Sequence, residues 1–115
     1  MPAHNSWCHL RTETMYTRLS KIMTKEYYQQ ILKSVIVETK MYCEKSPDIA
    51  IYLTIYEQLL DLQQNIINQS GLTKREIENK YTFGIIAARN FDEDDEYGQK
   101  LMDLNGGALD YNKML

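Results

Sequence analysis

The residues of this chain able to do chemistry are few. His4, Cys8 and His9 are the soft ligands a zinc ion takes, but they stand within the first ten positions and lack a fourth ligand at a zinc-like spacing. No histidine follows His9. An acid–base enzyme built on the remainder would have to work with carboxylates, lysine or tyrosine. Cys43 lies between Tyr42 and Glu44 with no histidine near it in sequence, which reads as a half-buried bystander and not an activated thiol. The run Asp92-Glu93-Asp94-Asp95-Glu96 is the densest charge in the chain. It lacks the alternating carboxylates, the turn glycine and the closing glutamate of a calcium loop. It reads either as a solvated loop whose acids favour the start of a following helix, or as a docking patch for a basic partner. Gly106-Gly107 alone does not make a phosphate loop. No catalytic residue, metal or cofactor is expected.

Composition narrows the partners. Hydrophobic residues make up 43% of the 115 positions and charged residues 25%, ordinary proportions for one globular domain. Residues 1–22 carry three basic groups and one acidic group, a net +2. The overall −3 therefore leaves −5 on residues 23–115. An acidic domain without a basic stripe repels phosphate backbones, so nucleic acid is disfavoured and a basic protein partner suits it better. No apolar stretch reaches the roughly 20 residues that cross a bilayer, and no secretory leader core is visible. Two cysteines make no disulfide framework, which fits a reduced cytoplasmic protein.

The elements follow from periodicity. Residues 1–22 are polar, mildly basic and without a sustained period, and are expected to form a loosely ordered extension with at most a short helix from Thr14 to Ile22. Met15 and Met23 both stand where a chain can start. From Thr24, a good cap, Tyr28, Ile31, Leu32, Val35 and Tyr42 repeat at helical spacing, and Pro47 stops the helix near Lys45. Ser46, Pro47 and Asp48 read as the start of a second helix, striped by Tyr52, Ile55, Tyr56, Leu59, Leu62 and Ile66 and ended by Gly71. Thr73 and Glu76 form a capping box for a third, with Ile77, Tyr81, Ile85 and Ala88 on one face and Gly84 in its middle, where a neighbouring helix comes close. Asp92 or Asp94 is expected to cap a fourth, with Tyr97, Leu101, Leu104 and Ala108 on one side. The fold class is all-α: a small antiparallel bundle of about four helices over residues 23–115, with the N-terminal extension outside it.

With these helices drawn, a resemblance comes forward. The stretch Tyr56-Glu57-Gln58-Leu59-Leu60, continued by Thr82-Phe83-Gly84-Ile85-Ile86-Ala87-Ala88-Arg89-Asn90-Phe91-Asp92-Glu93, resembles the small type VI secretion immunity proteins that neutralise NAD(P)+-glycohydrolase effectors. Its most specific part is T-x-G-x-x-A-x-x-x-F-D-x-x-D, carried by Thr82, Gly84, Ala87, Phe91, Asp92 and Asp95. The likeness runs from about Met23 to the fourth helix. It implies an all-α protein with no enzyme activity and no cofactor, which holds a cytosolic toxin domain in an inactive complex inside the producing cell.

The expected partner surface is the acidic run Asp92, Glu93, Asp94 and Asp95, supported by Glu57, Asp61 and Tyr97. The partner that the resemblance implies is a cognate toxin domain; a homo-oligomer is compatible with the sequence but not indicated by it. The rival reading is a generic helical adaptor or chaperone-like module that grips a peptide in an apolar groove. An enzyme comes third.

Overall fold

The first helix begins where the sequence supplies a cap. Thr24 has extended backbone and its hydroxyl accepts the Tyr27 N–H at 3.1 Å, so α1 runs Lys25–Lys45. The structure, a computed structural model, describes residues 16–67 and 73–115. The inner stripe of α1 is Tyr28, Ile31, Leu32, Val35 and Thr39, all buried. Thr39 is tolerated inside because its hydroxyl donates to the Val35 carbonyl at 2.7 Å and lies 2.6 Å from the Tyr97 hydroxyl.

The second helix starts later than expected. Ser46 closes α1 instead of capping the next helix: its N–H donates to the Tyr42 carbonyl, and its carbonyl accepts the Ile49 N–H at 3.0 Å. Pro47 thus takes the second position of a turn, a place its fixed φ suits as well as a helix start. Helix α2 then runs Ala50–Ile67 and buries Ile55, Leu59 and Leu62. The expected terminator Gly71 lies outside the described residues, as do the side chains of Ile66 and Ile67.

The capping box of Thr73 and Glu76 is formed, with N–H to oxygen distances of 2.9 and 3.2 Å, but it opens only a short helix, α3, Lys74–Lys80. The single third helix of the sequence reading is in fact two. Tyr81 is extended, at φ −110° and ψ 113°, and α4 runs Phe83–Asn90. Gln58 of α2 explains the break. Its Oε1 accepts the N–H groups of Thr82 and Phe83 at 2.8 and 2.9 Å, and its Nε2 donates to the Thr82 hydroxyl at 3.0 Å. A side chain from another helix thereby satisfies the free donors of a helix start. The new phase turns Phe83, Gly84 and Ala87 inward and leaves Ile85 and Ala88, expected in the core, facing out.

Helix α5 runs Glu96–Gly107, through Gly106 and with Gly107 as its last residue. Its cap is Asp95, neither Asp92 nor Asp94. Tyr97, Leu101, Leu104 and Ala108 share its buried side as the periodicity predicts. Helix α1 packs on α2 and α5, α2 on α4, and α4 on α5. Beyond α5 a 3-10 turn, Tyr111–Lys113, buries Tyr111, and the Leu115 carbonyl accepts the Lys25 N–H at 3.0 Å. Among the described residues there is no strand.

The described end of the expected extension, residues 16–22, packs on this bundle. Leu19, in the 3-10 turn Leu19–Lys21, is 2% exposed and belongs to the core. Residues 1–15, which include His4, Cys8 and His9 and the first part of the expected Thr14–Ile22 helix, lie outside the described residues.

Candidate partner-docking surface

The joint between α4 and α5 carries the acidic run. Phe91 ends α4 with its N–H on the Ala87 carbonyl, and its ring joins Tyr52 and Tyr97 at centroid distances of 6.3 and 5.4 Å. The Asp95 N–H donates to the Asp92 carbonyl at 3.0 Å, and the Asp95 carboxylate accepts the Tyr97 N–H at 2.9 Å. Gln99 reaches back from α5 to the Glu93 carbonyl at 2.7 Å. These bonds fix a tight turn from which Asp92, Glu93 and Asp94 project, all three exposed. Ion pairing among the described residues leaves this turn alone: the two pairs are Arg18–Asp103 and Lys80–Asp61.

The other residues expected at the surface divide. Glu57 is exposed on α2. Asp61, one turn further on, is committed to Lys80 of α3 at 3.2 Å and accepts from Asn65 at 2.8 Å, so its charge is already offset. Tyr97 is 2% exposed and cannot meet a partner on this surface. The Asp95 cap sets the phase of α5 so that Tyr97 faces α1 and Thr39, and its place in one stripe with Leu101 and Leu104 was the signal to that effect.

The six motif residues mostly build the joint. Thr82 starts α4, Gly84 and Ala87 are buried, Phe91 fills the aromatic cluster, Asp95 caps α5, and Asp92 lends its carbonyl to the turn while its side chain stays exposed. Gln58, from the other stretch that carries the resemblance, holds Thr82 in place.

Sequence reasoning missed the surface beside this turn. Ile85 and Ala88 of α4 and Met102 and Gly106 of α5 line a groove of about 490 Å³. A neighbouring hollow shares Ala88 and Met102 and reaches Asp92 and Glu93. The available signal was a second apolar series, Phe83, Ala87 and Phe91, competing at helical spacing with Ile77, Tyr81 and Ile85.

Burial pushes the hydroxyls of Tyr28 and Tyr97 well above the ordinary tyrosine range and that of Tyr81 to about 12. Burial, with Glu44 adding to it, also raises the Cys43 thiol. Among the described residues no group of three or more His, Cys, Asp or Glu is placed to hold a metal ion, and no helix is long and apolar enough to cross a membrane.

No curated protein and no solved structure matches the chain. The Tsi6 family matches residues 26–110, from the first turn of α1 past the end of α5. That span takes in the Gln58 clamp, the α4–α5 joint and the acidic turn, and the chain accordingly belongs to the Tsi6 family of type VI secretion immunity proteins.

Proposed function

We propose that this chain binds a cognate effector domain in the cytoplasm of the producing cell, that the effector is an NAD(P)+ glycohydrolase, and that binding closes the effector's active-site cleft. The observation that carries the reading is the family match over residues 26–110, which spans α1 to α5. The NAD(P)+ chemistry is supported by the resemblance that Thr82, Gly84, Ala87, Phe91, Asp92 and Asp95 bear to immunity proteins of that class.

Electrostatics supports the mode of inhibition. An enzyme that binds a dinucleotide needs positive potential for the pyrophosphate. Asp92, Glu93 and Asp94, exposed on one rigid turn, offer the opposite sign. Such charges steer encounter and fix orientation. Glu57 adds a separate exposed acid on α2, whereas Asp61 contributes less because Lys80 neutralises it. Protection requires almost every toxin molecule to be occupied. That calls for nanomolar or tighter binding, about −12 kcal/mol or beyond.

The test is protection in cells. A candidate toxin domain of NAD(P)+-glycohydrolase type, sought among the reading frames that flank this chain's gene, is induced in bacteria with and without the chain, and growth and intracellular NAD+ are followed. Preserved NAD+ and growth in the presence of the chain are expected. NAD+ that falls equally in both cultures refutes the reading, and growth arrest without NAD+ loss that the chain relieves retains immunity while refuting the glycohydrolase assignment.

A further inference from the structure

Resting on the immunity reading, we infer that the groove between α4 and α5 is an anchor pocket for an apolar side chain of the toxin domain, with a lysine or arginine of the toxin beside it. The groove is floored by Ala88, Met102 and Gly106 and walled by Ile85, which is 55% exposed. It shares Ala88 and Met102 with the neighbouring hollow that ends on Asp92 and Glu93. The two adjoining hollows make a trough that is apolar on one side and acidic on the other. Glu78 and Arg89 on the apolar part offset each other in formal charge, and Arg18 beside the acids is committed to Asp103 at 2.7 Å. The negative sign of the trough thus comes from Asp92 and Glu93, and a cation is the group that complements it.

Gly106 points to the same occupant. The other three described glycines each face an internal neighbour: a Cβ would come within 2.7 Å of Asn105 at Gly84, 3.1 Å of Phe91 at Gly98 and 2.7 Å of Leu19 at Gly107. A Cβ at Gly106 would meet nothing within 4 Å, although glycine weakens the helix that contains it. The chain's own packing gives no reason for a missing side chain there. Room for a group from outside does. Met102, unbranched and adaptable, is the side chain able to close around such a group. A desolvated apolar anchor ringed by charge is the usual form of a strong protein–protein contact.

The experiment uses the full chain and the effector domain against which it protects cells, with surface-plasmon kinetics at two salt concentrations. Gly106→Leu fills the groove and should fold with an equal or higher Tm, because it meets open space and favours the helix. Ile85→Gln removes the wall from an exposed position. Each should weaken binding roughly tenfold or more, mostly through faster dissociation. The double variant Asp92→Asn, Glu93→Gln should slow association at low salt. Folded Gly106→Leu and Ile85→Gln variants that bind like the parent overturn the pocket. A parent that fails to bind the toxin at all refutes the immunity reading, and the pocket with it. Sedimentation gives the remaining outcome: a parental dimer that Gly106→Leu converts to monomer assigns the groove to a second copy and overturns the toxin as occupant.

Discussion

The Gly84 N–H donates to Asn105 Oδ1 at 2.7 Å, and a Cβ on Gly84 would stand the same 2.7 Å from Asn105 Cβ. The first turn of α4 and the last turns of α5 are thus joined where only a glycine fits. Asn105 also satisfies one of the N–H groups that a helix start leaves open. Alanine is intrinsically the better helix former by about 1 kcal/mol. Gly84→Ala is nevertheless expected to destabilise, because Asn105 Cβ is rooted in the backbone and cannot swing aside. Gly84→Leu should cost about 1–3 kcal/mol through overpacking. Urea unfolding of the two variants checks this, and a neutral Gly84→Leu contradicts it.

Asp103 ties down residues 16–19. It accepts from the Tyr16 hydroxyl at 2.6 Å, Arg18 at 2.7 and 2.8 Å, and the Leu19 N–H at 3.2 Å. The sequence alone predicts that a chain beginning at Met23 melts like the full chain; the packing of Leu19 against Gly107 and Tyr28 predicts the reverse. Burying a leucine is worth about 1.5–3 kcal/mol. The Arg18 side chain keeps 43% of its surface exposed, so solvent screens the ion pair and Leu19 is the larger part of the loss. Removing residues 1–22 should lower stability by about 2 kcal/mol, read as a fall in Tm.

The same carboxylate sets a pH dependence. Burial alone would raise its pKa, but Arg18, the Tyr16 hydroxyl and the Leu19 N–H outweigh that and hold it below the ordinary aspartate range. The unfolded chain takes up this proton first on acidification. The stabilisation is therefore complete above about pH 4 and is lost as pH falls through the lower folded value. The stability gap between the parent and Asp103→Asn should be constant from neutral pH to about pH 4 and narrow below it, as measured by denaturant titration at each pH.

Gln58 offers the third test. Gln58→Leu keeps the bulk but strands the Thr82 and Phe83 N–H groups at a half-buried helix start. A loss of about 1–3 kcal/mol is expected, with amide exchange rising first in α4. Unchanged exchange at Phe83 would mean that α4 holds its start without the clamp.

What the sequence made legible, and what it did not, follows from the range of the interactions. Thr24, the Thr73–Glu76 box and the Tyr97–Leu101–Leu104 stripe act within a few residues of themselves, and they stand where periodicity and capping rules place them. The break at Tyr81 depends on Gln58, more than twenty positions away, and no local rule contains it. That one break reversed the facing of Ile85 and Ala88 and so concealed the groove. The acidic turn was readable because charge runs are local. Tyr97 shares its stripe with Leu101 and Leu104, and that periodicity puts it in the core and not on a contact surface.

The acidic turn itself predicts a separation of stability from binding. Asp92→Asn, Glu93→Gln and Asp94→Asn change exposed side chains and should leave Tm unaltered. Asp95→Asn should cost a few tenths to about 1 kcal/mol as a cap. At least one of the first three should associate more slowly with the toxin domain, and more so at low salt. Association rates equal to the parent's in all three would confine the turn to a structural role.

Silencing of an NAD(P)+ glycohydrolase by complex formation is read out by titrating a purified candidate effector domain of that type with the purified chain while NAD+ hydrolysis is followed. A linear loss of activity that reaches zero near one chain per toxin is expected. Activity undiminished at a several-fold molar excess of the folded chain would contradict it.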